Sequence, residues 1–433
     1  MGERGLWSAI WRIVAIMVIS GWLLGCTSHS DPHTLTFWTI GREGEAITQL
    51  LPEFERENPN IHVVLQQLPL SAAHQKLLTA FAGDSTPDMT QLGNTWLPEF
   101  VALGALEPLQ TRVANDKLIQ SKDYFPSVWA TNVYDGALYG VPWYIDTRLL
   151  FYRSDLLRAA GFDTPPRDWN EWRHMLAALS HPAHGQYGIL LPTNEYDQLT
   201  SLALQQPDPL LRDGGRYGNF ESAGFKRALR FYVETFRLHQ APPITNVEAG
   251  NPWVEFGRGV YAFYFSGPWN ISEFRKRLPA SAEGTWATAP LPGPDGEGAA
   301  LAGGSSLVIF RKSAHKDAAW TLIQFLSRPD VQGRFYELLG DMPPRRSSWN
   351  QGSLLNDPKA HAFRQQLERV KPTPPVPEWE QIVNEMQLVA AQAVAGNITV
   401  DQAAAEIDRR ADRILEKRRW MLDHTHTTTS APP

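Results

Sequence analysis

The 433-residue chain has a single cysteine, Cys26. One thiol cannot close an internal disulfide, so the fold carries no covalent staple and its stability must come from packing. Surplus positive charge is missing too: 40 Lys and Arg stand against 46 Asp and Glu, a net charge of −6. The short run Lys417-Arg418-Arg419 reads as a solvated helix face, and that balance excludes a nucleic-acid partner. No interior stretch is apolar for long enough to span a bilayer. The 12 histidines show no metal-ligand spacing, and neither GxSxG nor HExxH occurs, so no metal, cofactor or hydrolase motif is expected.

What is present starts at the N-terminus. Arg4 and Arg12 precede an apolar run over 13–24, too short for a comfortable membrane helix but suited to the core of a secretory signal. Leu23-Leu24-Gly25-Cys26 resembles the bacterial lipobox, in which the cysteine is acylated and the leader removed. The expectation is a lipoprotein signal peptide over 1–25, a polar tether over 26–33, and an exported protein held by lipid at the membrane surface, on the periplasmic side or the outer face of the cell membrane. Each buried CH₂ of an acyl chain contributes about 0.8 kcal/mol to that anchoring. A soluble protein cut near Gly25 is the alternative. Loss of Glu3, Arg4 and Arg12 turns 40 basic and 46 acidic residues into 38 and 45, net −7.

The length exceeds what one core usually holds, so two lobes are expected. Residues 34–40 alternate as a strand, Ile47, Leu50, Leu51 and Phe54 recur at helical spacing, and a second strand follows at 61–65. Such a βαβ order predicts a parallel sheet with its ligand site at the strands' carboxyl ends. The loop 41–45 and Asn94 fall at two such ends, with Thr95 as a candidate cap for a helix over 97–103. Further helices are expected over 168–179, 225–238 and 316–326, a turn at 256–259, and a strand over 260–265. A capping box formed by Thr399 and Gln402 opens a terminal helix presenting Ala403, Ile407, Ala411 and Ile414. The tail 423–433 is expected to be disordered.

The stretch 134–162 is the most informative. Trp143, Tyr144, Asp146, Thr147 and Arg148 stand directly before the apolar Leu149-Leu150-Phe151-Tyr152. A half-exposed strand with an ion pair is one reading; an aromatic face beside a carboxylate and a guanidinium, as a sugar needs, is the other. The load of 16 Trp, 12 Tyr and 19 Phe agrees with the second. Glu43 or Glu45 facing Asp146 could also serve a glycosidase, though carboxylates bind hydroxyls equally well without catalysis.

The segments LTFWT, LLPEFERENPNIHVVLQQ and LLTAFAGDSTPDMTQL within 35–109 resemble the opening of the extracellular solute-binding proteins of ABC importers, in their carbohydrate-binding branch. GRGVYAFYFSGPWNI, and then PLPGPDG, GGSSLVIF, FLSRPD and PPRRSS, continue that resemblance to residue 349. It implies an α/β, two-lobed periplasmic-binding-protein-like fold with three crossings, near 139–143, 291–300 and 341–344, and a ligand cleft between the lobes. One lobe takes residues 34–142 and 301–341, the other 143–300 and 342–422, and both ends are expected on one lobe. The resemblance further implies a monomer that captures a disaccharide or small glucoside, trehalose or maltose preferred, and delivers it to permease subunits without catalysis. A glycerol-phosphate-binding relative is the alternative. Carried over by motif, the ligand residues are Glu43, Asn94, Tyr144, Asp146, Trp269, the amides of Gly303 and Gly304, and Arg345, with Arg346 an equal candidate. Family members often carry an aromatic after the glycine pair, where Ser305 stands here; Trp96 or Trp143 is the expected replacement.

Overall fold

The computed structural model describes residues 34–425; the leader, Cys26 and the tether lie outside them. Strand β1 (Thr34–Ile40) buries Leu35 and Phe37 and leaves the intervening residues half-buried, the period of two that a pleated strand imposes. Helix α1 (Glu43–Glu57) buries Ile47, Leu50, Leu51 and Phe54, one apolar stripe turned to the sheet. It stops where the Asn58 amide donates back to the Phe54 carbonyl. Strand β2 (His62–Leu68) lies parallel to β1, from Thr34↔His62 to Ile40↔Leu68. Helix α2 (Leu70–Ala82) then leads to β3 (Met89–Gly93), also parallel to β1, and β4 (Val141–Asp146) follows after several short helices.

Strand β5 (Leu149–Arg153) opens the second lobe. Helix α3 (Trp169–Leu179) is capped by Asp168, whose side chain accepts from the Asn170 and Glu171 amides, and it buries Trp172, Met175 and Leu176. Strand β6 (Tyr187–Leu190), helix α4 (Ala223–Arg237), strand β7 (Tyr261–Ser266), helix α5 (Trp269–Arg277) and strand β8 (Trp286–Ala289) complete the unit. Its sheet has the order β8-β5-β7-β6. Phe151, Trp172, Phe231, Phe265, Phe274 and Trp286 pack in this lobe's core. Each such side chain contributes on the order of 1.5–3 kcal/mol when fully buried, so much of the heavy aromatic load is structural.

The chain returns through β9 (Gly303–Ile309), which runs antiparallel to both β3 and β4 and completes a first sheet of order β2-β1-β3-β9-β4. Helix α6 (Pro329–Leu339) packs against α1 of the same lobe, and α7 (Trp379–Val394) and α8 (Val400–Ile414) pack on α4 of the second. The capping box of Thr399 and Gln402 is formed, with Ala403, Ile407 and Ala411 buried.

Several expectations are corrected. Residues 143–146 belong to the first sheet, because β4 pairs with β9 as far as Asp146↔Gly303; the first crossing is therefore at Thr147 and Arg148. Residues 292–297 form a β-hairpin, and the second crossing comes after it, where the Thr147 hydroxyl donates to the Leu301 carbonyl at 2.8 Å. The third passes alongside both, with the Ile145 amide donating to the Met342 carbonyl at 2.8 Å. An odd number of crossings puts the ends on different lobes, so the expectation that they share one fails. Residues 252–257 form a helix capped by Asn251, so of the turn expected at 256–259 only 258–259 remain outside the helix, where Gly259 takes φ +81°. Thr95 caps nothing: the helix Leu97–Ala102 starts without a side-chain cap. Residues 423–425, expected in a disordered tail, close the helix Glu416–Thr425.

Candidate functional site

A cavity of about 190 Å³ lies between the lobes. Its first-lobe wall is built from the carboxyl ends of β1, β3 and β4, where a mostly parallel sheet leaves unspent backbone ends. Glu43 is not in a loop but opens helix α1. Its Oε1 accepts from the Tyr144 hydroxyl at 2.6 Å, and that hydroxyl accepts from Gln91 Nε2 at 2.9 Å and from the Ser305 hydroxyl at 3.1 Å. Ser305 thus ties the network together where an aromatic was expected. Glu45, two residues on, is exposed on the far side of the helix, which removes it from any carboxylate pair.

Asn94 receives the Ser306 hydroxyl on Oδ1 at 2.9 Å, while its amide donates to the Gly304 carbonyl. Its Nδ2 is buried and has no partner among the described residues, a donor left open at the cavity wall. The glycine pair is explained by close approach. A Cβ on Gly303 would stand 2.3 Å from the Asp146 carbonyl oxygen, and one on Gly304, at φ +119°, equally close to that of Tyr144. Trp96 lines the cavity beside Thr95, its ring 4.9 Å from that of His74.

The second lobe and the hinge supply the charged part. Arg148 pairs with Asp146 through Nη1 and with Asp197 through Nη2, the latter at 2.9 Å. Its guanidinium centre stands 5.0 Å from the centroid of the Trp269 ring, an arrangement that favours the cation electrostatically. Arg148 Nε is buried and has no partner among the described residues. Burial, joined by the charges of Asp197 and Glu195, pushes the Asp146 carboxyl up to about 6 against the pull of Arg148. Burial likewise raises Glu43, despite the Tyr144 hydrogen bond. Asp341, on the third crossing, is raised by burial and by the neighbouring Glu43 and Asp146.

Four expected residues are not part of the cavity lining: Glu43 stands behind Tyr144 and Trp269 behind Arg148, while Trp143 and Arg345 lie elsewhere. Trp143 is 2% exposed and packs between Phe37 and Phe335 in the first lobe's core; successive residues of a strand point to opposite faces, so Tyr144 reaches the cavity and Trp143 does not. Arg345 donates to Asp123 at 2.8 Å and to the Leu118 and Ser327 carbonyls, a structural role within the first lobe, and Arg346 pairs with Glu368 on the surface. The arginine that does line the cavity is Arg148. Its signal was legible in the charged and aromatic run that contains it. Gln91, Tyr196, Asp197 and Asp341 carried none, since single polar residues gain meaning only through what the fold sets beside them.

Donors and acceptors with unspent capacity beneath an aromatic face suit a small, neutral ligand rich in hydroxyl groups. Among the described residues no group of His, Cys, Asp and Glu could hold a metal ion, and no helix is long and apolar enough to cross a membrane.

Comparisons agree with this architecture. The sugar-binding protein MalE from the phytopathogen Xanthomonas citri is 55% identical, over 90% of this chain and 99% of that one, with a TM-score of 0.87. The GacH receptor of Streptomyces glaucescens, solved unliganded and with acarbose, is 26% identical, over 88% of this chain and 98% of that one, with a TM-score of 0.77. A mannitol-binding protein of Pseudomonas aeruginosa is 26% identical over 418 residues, 89% of this chain and 93% of its own. The pattern described as bacterial extracellular solute-binding protein matches residues 38–333. With that match across most of its length and a ligand-sized cavity between two lobes, the chain belongs to the bacterial extracellular solute-binding protein family.

Proposed function

We propose that this protein is the sugar receptor of an ABC importer, capturing an α-linked disaccharide or small glucoside, maltose or trehalose first, and handing it to permease subunits. The observation that carries the reading is the cavity chemistry: the acceptor Asp146, the Tyr144 hydroxyl held by Glu43, the unspent donors of Asn94 and Arg148, and Trp269 behind the guanidinium. The 55% identical relative described as a sugar-binding protein supports it. Size supports a short ligand, because about 190 Å³ falls below the roughly 300–1,000 Å³ of pockets that bury drug-sized molecules. A phosphate ester is disfavoured, since both Nη groups of Arg148 are already taken by carboxylates and a phosphate needs cations to spare.

Calorimetry against trehalose, maltose, mannitol and glycerol 3-phosphate tests the reading, followed by chromatography of the recovered ligand. One disaccharide bound per chain and recovered intact is the expected result. Binding of the phosphate ester with no sugar bound overturns the ligand class, and a cleaved sugar overturns the receptor role in favour of a glycosidase. The same proposal makes the protein an exported monomer, acylated at Cys26. Cys26→Ser is then expected to move it from the membrane fraction to the soluble one; an unchanged distribution refutes the anchor.

A further inference from the structure

Trp96 stands just past the end of β3, at the start of the helix Leu97–Ala102, and is half-buried at the cavity wall. Its backbone is fixed, since its amide donates to the Gly93 carbonyl at 3.0 Å. Its side chain is another matter, because a ring on two rotatable bonds keeps one orientation only where neighbours hold it. Gly93 is one such neighbour: a Cβ there would stand 3.3 Å from the Trp96 ring. The other is His74 on α2, whose ring centre lies 4.9 Å from that of Trp96.

His74 is itself held in place. Its Nε2 lies 2.7 Å from Glu99 Oε2, and its ring centre is 6.3 Å from that of Phe100, edge to face. Trp96, Glu99 and Phe100 are spaced i, i+3 and i+4, one face of a helix, and Phe100 is fully buried. Phe100 thus fixes where the helix lies, Glu99 fixes how the imidazole turns, and the imidazole bears on Trp96. Leu70, one turn before His74 on α2, lines the cavity and is 70% exposed, so the helix that carries His74 borders the site. The His74 and Glu99 side chains are each 24% exposed, and a pair so open to solvent contributes little to the stability of the fold. Its position against Trp96 explains it better.

We propose that His74 is a positioning residue for ligand binding: held by Glu99, it sets the Trp96 ring at the cavity wall as an apolar face on which one sugar ring stacks. The inference rests on the sugar-receptor reading above. The apolar face of a pyranose needs a flat surface in one orientation, so a Trp96 ring free to turn binds less tightly than one that is held.

The test is a double-mutant cycle read by calorimetry with trehalose and maltose, on the wild-type chain, His74→Ala, Trp96→Ala and the double variant, with thermal unfolding to establish that each is folded. His74→Ala is expected to weaken sugar binding by about fivefold, the upper end for a partly exposed pair. In the Trp96→Ala background it is expected to add nothing further, because a residue that acts through a ring has no effect once the ring is gone. Should His74→Ala lose cooperative unfolding, His74→Gln, which keeps a donor for Glu99 and drops the ring against Trp96, takes its place in the cycle. Unchanged affinity in a folded His74 or Trp96 variant, or the same fold-loss from the His74 substitution with and without Trp96, overturns the proposal. A wild type that binds no sugar in the series defeats the receptor reading itself.

Discussion

Arg42 Nη1 lies 3.0 Å from Glu273 Oε1, although the two residues are on different lobes. Glu273 is 8% exposed and also receives Arg277 at 2.7 Å. Burial works against its charge, but the two arginines prevail and hold the carboxyl below its ordinary range. Arg42 follows Gly41 at the end of β1 and Glu273 lies one turn beyond Trp269, so the bond ties the two lobes to each other.

Arg42→Ala is therefore expected to hasten ligand release while leaving the fold intact. Arg42 is half exposed, which limits the pair to about 1 kcal/mol, or roughly fivefold in dissociation rate. Stopped-flow tryptophan fluorescence measures it, and an off-rate identical to the wild type's would remove the pair from closure.

Trp269→Ala is expected to weaken sugar binding by about 1–3 kcal/mol, the cost of losing an aromatic anchor. The residue begins its helix and is only half-buried, so the thermal midpoint should barely move. Unchanged affinity in calorimetry would take Trp269 out of the site.

The carboxyl cluster makes stability depend on pH. An acid whose folded value is raised holds its proton more tightly when folded, so it favours the fold at low pH and loses that advantage as pH rises through the raised value. Asp341 and Glu43 are both raised and Asp146 is pushed from 3.8 to about 6, which puts the loss from about pH 4 upward through 6. Asp341→Asn removes one repelling charge and should unfold at a higher temperature than the wild type at pH 8, with the difference shrinking toward pH 4. A pH-independent difference in thermal scans would contradict the account.

Arg345→Ala separates structure from binding. Its guanidinium is 7% exposed and holds Asp123 together with two carbonyls. Removing one partner of a buried pair strands the other, at a cost of about 3 kcal/mol. Denaturant unfolding should record that loss while sugar affinity stays within a factor of two, about 0.4 kcal/mol; a large affinity loss in a folded variant would return Arg345 to the site.

The elements were largely legible in the chain. Ile47, Leu50, Leu51 and Phe54 on α1, Asp168 at the start of α3, and the box of Thr399 and Gln402 on α8 are local matters, decided by periodicity and by side chains reaching their own backbone. Glu43, Tyr144 and Asp146 were legible because they stand at the ends of recognisable strands.

Which face a neighbour takes, and which lobe a strand joins, is decided by pairing across long separations. Trp143 and Tyr144 look equivalent in sequence, but the pairing of β4 with β9 turns one into the core and the other to Glu43. Arg148 and Arg345 carry the same guanidinium; one meets Asp146 and Asp197 beside Trp269, the other is consumed by Asp123. Glu43 is 101 residues from Tyr144 in the chain and bonded to it in the fold. Local composition states what a side chain can bond, and only the packing of distant segments sets the partner within reach.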